Sequence, residues 1–150
     1  MRKIKKHFGF ASLIAIGLFL SACSDWETFE DVSSRPECQK IVGSQYEIIG
    51  SVTAFGIRKT PTAQASYITL LPNSYITGWE VAFDVRIEPK SKIIVKKVLD
   101  SNRLSFDDIT FEVEVIGTPL PKGVPVRVDV NLNNKGETPL SLNGRLYRKL

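Results

Sequence analysis

Few side chains in this 150-residue sequence can do covalent, acid–base or metal chemistry: one His, two Cys and a short run of clustered carboxylates. His7 and Met1 both lie within the first 22 residues, so everything after them lacks histidine. That excludes Ser-His-Asp and Cys-His nucleophiles and His-ligated zinc. The two thiols, Cys23 and Cys38, are too far apart for a CxxC redox pair. Neither GxxxxGK[ST] nor GxGxxG occurs, so no phosphate cradle is expected. We expect no cofactor and no metal. The carboxylates are Asp107 and Asp108, just before an alternating segment, and Glu112 and Glu114 within it. Held roughly 5–9 Å apart around a sugar, two of them would suit glycoside hydrolysis. The plainer reading, a turn followed by a solvated strand face, is the one we favour. A calcium site at Asp107-Asp108 lacks the surrounding EF-hand spacing.

Two clusters suit binding rather than catalysis. Lys90, Lys92, Lys96 and Lys97 form the densest basic group. They would meet lipid phosphate, acidic glycan or an acidic protein, or else protect a sheet edge from pairing with another chain. Tyr67, Tyr75 and Trp79 crowd one stretch, and such side chains combine contact area with a polar handle. Trp79 is in phase with Val81 and Phe83 and is expected in the core; Tyr67 and Tyr75 are the candidates for exposure.

The elements that position these residues begin after a leader. Arg2, Lys3, Lys5 and Lys6 precede an apolar run from Phe8 to Leu20, and residues 1–22 hold no acid. The run is 13 residues long, short of the roughly 18–20 needed to span a bilayer, and has the layout of a secretory signal peptide. The whole-chain charge of +4 sits in that leader. The rest is formally neutral, so its charge gives no reason to expect a nucleic-acid ligand.

Leu20-Ser21-Ala22-Cys23 resembles the lipobox of bacterial lipoproteins at all four positions. The resemblance implies diacylglycerol transfer to Cys23, cleavage after Ala22 and palmitate-type acylation of the new amino terminus. It also implies a destination: with Ser24 rather than Asp after the lipidated Cys, the enterobacterial pattern favours the periplasmic face of the outer membrane. Cys38 is then the one remaining thiol, either buried and inert or free to link a dimer. Ordinary cleavage at an A-x-A-like site would want a small residue where Leu20 stands.

Residues 24–37 contain five acids, one Arg and few apolar positions, and read as a tether. From Gln39 onward the period is two. Trp79–Ile87, Ile109–Val115 and Val124–Leu132 each alternate apolar with polar residues and are rich in β-branched side chains. Tyr46–Ile57, Ser66–Leu71, Ser74–Thr77 and a poorly alternating Lys92–Leu99 add shorter strands, with Gly50 and Gly56 as bulge or bend points. Asn143-Gly144 carries a hairpin signal that would join strands at about 138–142 and 145–149 into a terminal meander. The expected fold is all-β: a small antiparallel sandwich or partly closed barrel of about seven or eight strands. The expected organisation is a signal peptide over 1–22, lipidated Cys23 and tether over 23–38, and one domain over 39–150. Pro89-Lys90-Ser91 and Pro121-Lys122-Gly123 each lead into a β-branched segment, a cadence similar to that of SH3-like periplasmic β-modules.

A strong anchor beside so little catalytic chemistry points to a non-enzymatic lipoprotein that binds an envelope protein or cell-wall component. The alternatives are an inhibitor or immunity-type lipoprotein acting on an incoming enzyme, a carboxylate-based glycan hydrolase, and a purely structural tether.

Overall fold

A computed structural model describes residues 28–72, 76–101, 109–130 and 140–150. The fold is all-β. Its strands are β1 (Phe29–Asp31), β2 (Gln45–Ile48), β3 (Val52–Ile57), β4 (Tyr67–Pro72), β5 (Val81–Arg86), β6 (Lys92–Ser101), β7 (Ile109–Ile116), β8 (Val126–Asp129) and β9 (Tyr147–Lys149). A single helical turn, α1 (Pro36–Gln39), lies between β1 and β2. All nine strands belong to one sheet in the order β5-β3-β4-β8-β7-β6-β2-β9, with β1 also paired to β6.

Chain connectivity forces this sheet to roll. β2 and β3 are five strand positions apart, about 24 Å in a flat sheet. Yet only residues 49–51 join them, a span of at most about 14 Å. The sheet therefore curls until its two ends approach, giving an incompletely closed barrel. The core agrees, because Val52 and Ala54 of β3 share one buried cluster with Tyr147 of β9. Every pairing is antiparallel except β4 with β8. That parallel contact joins two antiparallel groups, β5-β3-β4 and β8-β7-β6, and the long chain between β4 and β8 provides the crossover that parallel pairing needs.

Alternation fills the interior. Ile109, Phe111 and Val113 of β7 and Val126 and Val128 of β8 point inward, with Thr110, Glu112, Arg127 and Asp129 on the opposite face. β6 shows why its sequence alternates poorly. Ile93 and Val95 face the core, the register then slips at Lys96, and Val98 takes over the inward phase. A bulge of this kind inserts one residue and exchanges the faces. Gly56 marks a second irregularity: the β3–β5 register shifts between Gly56 and Ile57, and a Cβ at Gly56 would lie 2.3 Å from the Phe83 ring.

Five expectations are corrected. Residues 29–38 are not tether: β1 pairs with β6, and Val32 and Cys38 are buried. Apolar content was too low to signal a strand, but three residues suffice to extend a ready edge of β6. Tyr46–Ile57 is two strands, broken around Gly50, where a Cβ would press within 2.9 Å of the Arg145 carbonyl. Asn143-Gly144 forms a turn without a hairpin. The Asn143 side chain accepts a bond from the Arg145 N–H at 2.9 Å, and β9 departs to pair with β2. No strand occupies 140–142, so the terminal meander does not form. Trp79 is 55 % exposed rather than in the core, because the strand starts only at Val81.

Tyr147 is 2 % exposed and its hydroxyl has no hydrogen-bond partner. Burial raises its pKa far above the usual phenol value. An unsatisfied buried hydroxyl costs about 1–3 kcal/mol. Tyr147→Phe, which keeps the ring and removes the orphan oxygen, is therefore expected to leave stability unchanged or raise it by about 1 kcal/mol, read as the urea midpoint. A loss of more than that would show that the hydroxyl has a partner.

Candidate functional site

The outer face of the rolled sheet carries the polar halves of the same alternating strands. Across it, Thr69 of β4, Arg127 of β8, Glu112 of β7 and Lys97 of β6 lie in register as direct cross-strand neighbours. Lys97 bonds Glu112 at 3.0 Å, which raises the lysine pKa, and Lys96 bonds Glu114 at 3.3 Å. Both glutamates singled out in the sequence, Glu112 and Glu114, are thus paired with lysines of the adjacent strand. Asp107 and Asp108 lie outside the described residues.

The lysine cluster does not guard an edge. β6 is paired on both sides, by β7 on one and by β2 and β1 on the other. Lys90, Lys92, Lys96 and Lys97 are all exposed, but two of the four are engaged with glutamates. Lys90 sits in the turn before β6 with a φ of 67°, in the left-handed region. None of the four lines either of the two cavities that Tyr67 lines. Tyr75 and Cys23 lie outside the described residues.

Tyr67 does belong to a concave site. Two adjoining cavities, of about 490 and 310 Å³, share Phe29, Ile57, Tyr67 and Arg127. The Arg127 guanidinium lies 4.0 Å from the Phe29 ring centroid and 5.0 Å from that of Tyr67. Each such contact contributes about 0.5–2 kcal/mol, depending on how dry it is. Arg127 Nε is buried with no acceptor. Among the described residues no carboxylate pairs with this guanidinium, and its neighbour Glu112 is turned toward Lys97.

The walls differ in charge from end to end. Arg58 and Lys59 line the larger cavity, whereas Glu80 and Asp129 line the smaller. Arg58 donates from its Nε to the Trp79 carbonyl. Ile57, Leu71 and Ile76 supply apolar wall. The groove therefore combines aromatic surface, one unneutralised guanidinium and a gradient of charge, which suits noncovalent recognition. Sequence reading found Tyr67 but not Arg127 or Phe29. Arg127 is an ordinary polar position in an alternating run, and its partner Phe29 is 98 residues away in a segment that looked like linker.

Other reactive groups are sequestered. Cys38 is 1 % exposed and burial raises its thiol pKa. Among the described residues there is no cluster of three metal-binding side chains, and no helix long and apolar enough to cross a membrane. Compared with family models, curated proteins and solved structures, the chain matches none.

Proposed function

We propose that this chain is a non-enzymatic, lipid-anchored binding module of the periplasmic face of the outer membrane, acting on an envelope protein or cell-wall component. The observation that carries the reading is the position of the lipobox-like Leu20-Ser21-Ala22-Cys23 relative to the fold. Five residues, 24–28, separate Cys23 from Phe29, the first groove residue on β1. They reach about 20 Å at most. A lipid on Cys23 would therefore hold the groove close to the membrane surface instead of letting the domain range on a long tether. Recognition by the groove is supported by its unneutralised Arg127 and aromatic walls, and the pairing of Glu112 and Glu114 with lysines speaks for a binding role over a hydrolytic one.

A photoreactive phenylalanine analogue at exposed Lys59, on the groove rim, tests this in intact cells. The expected result is an adduct with an identified envelope protein or wall fragment that is absent when the analogue replaces exposed Lys149 on β9, four strand positions from β8 in the sheet order. Equal labelling from both positions, or none from Lys59, would overturn the reading.

A further inference from the structure

We propose that the Arg127 groove takes a ligand with a free carboxylate and a peptide-like body, gripped by the guanidinium fork between Phe29 and Tyr67. The inference deepens the binding-module reading by naming its ligand class, and rests on it only for the cellular setting.

The first argument is the state of Arg127. A guanidinium is always charged and presents five donors in a plane. Here the guanidinium carbon lies 4.0 Å from the Phe29 ring centroid and 5.0 Å from that of Tyr67, its Nε is buried, and among the described residues nothing accepts from that Nε and no acid pairs with the group. The ring contacts hold the guanidinium without using its donors. A guanidinium with no carboxylate partner among the described residues, beside an open cavity of about 490 Å³, is suited to an incoming planar oxyanion, since Arg and carboxylate match bidentately.

The second argument is the distribution of charge. Arg58 lines the same cavity as the fork and reinforces attraction for an anion. Glu80 and Asp129 line the adjoining cavity of about 310 Å³. The Glu80 carboxylate repels a dianionic phosphate entering beside Arg127. It favours a monoanion whose other end is neutral or positive, as in a short peptide with a free C-terminus. Ile57, Leu71 and Ile76 would contact side chains along its length.

The test is isothermal titration of the full chain in detergent micelles with four probes: the tripeptide Ala-Ala-Ala, its C-terminal amide, inorganic phosphate and dihexanoylphosphatidylglycerol. The tripeptide is expected to bind about tenfold or more tightly than the amide, because a charge-assisted bidentate bond is lost. Arg127→Met and Arg127→Lys should each weaken the tripeptide by a similar factor, the lysine failing because an ammonium has no fork. The amide comparison uses the unaltered chain and stands even if a variant fails to fold. Equal binding of tripeptide and amide, no tripeptide binding, or preference for phosphate or the lipid would each overturn the proposal. Palmitate labelling of the same preparation reads the anchor separately: label without titration fails the groove, and titration without label fails only the membrane setting.

Discussion

Phe111→Ala is expected to lower the unfolding free energy by about 3–5 kcal/mol, the range for truncating a buried aromatic ring. Phe111 has 0 % exposure and stands directly between Val98 of β6 and Val128 of β8, both also fully buried. Its neighbours are β-branched and held by backbone pairing on both sides, so they are poorly able to fold into the space. The cavity term therefore adds to the lost transfer energy instead of being relaxed away. A domain of this size has about 5–15 kcal/mol of stability in total, so a large share would go in one substitution. The urea midpoint should fall while the slope stays constant, because the surface exposed on unfolding is nearly unchanged. A loss below about 1 kcal/mol would mean that the site collapses and that the rolled sheet is softer than its packing implies.

The same residue shows what the sequence made legible. Phe111, Val113 and the Val126–Val130 run alternate cleanly, and a half-buried strand leaves that trace because successive side chains point to opposite faces. Alternation fails to report anything that depends on where a strand goes. β6 looked irregular because its bulge at Lys96 exchanges faces midway. β1 looked like linker because a three-residue strand has no room for a period and draws its order from the edge of β6. Asn143 produced the local turn its side chain dictates, yet the following residues joined β2, which no local signal can specify. The lysines were legible as a cluster, but their position on a central strand was not. The groove was the least legible feature. It needs the Arg127 guanidinium 4.0 Å from the Phe29 ring centroid, a contact between β1 and β8 that no local pattern reports.

Cys23→Ala is expected to abolish palmitate incorporation and to reduce membrane attachment by a large factor. On the proposed reading Cys23 would be the acylated residue, and since each buried methylene contributes about 0.8 kcal/mol, two chains would already hold the protein stably and a third would make release negligible. Nothing in the described fold offers an equivalent: no helix there is long and apolar enough to cross, and the apolar faces of the strands are spent on the core. The alternative attachment is electrostatic, through Lys90, Lys92, Lys96 and Lys97. Salt separates the two. At roughly 1 M ionic strength the screening length is about 3 Å, so attachment through surface lysines would be lost while an acyl anchor would hold. Wild-type protein should therefore stay in the membrane pellet through high salt and leave it only with detergent. The Cys23→Ala chain should lose the label and be released where the wild-type chain is retained. Label retained in Cys23→Ala, or wild-type protein released by salt alone, would remove the anchor. The groove would then face its ligand as part of a domain free to leave the membrane, and its proximity to the bilayer would no longer limit which carboxylates it meets.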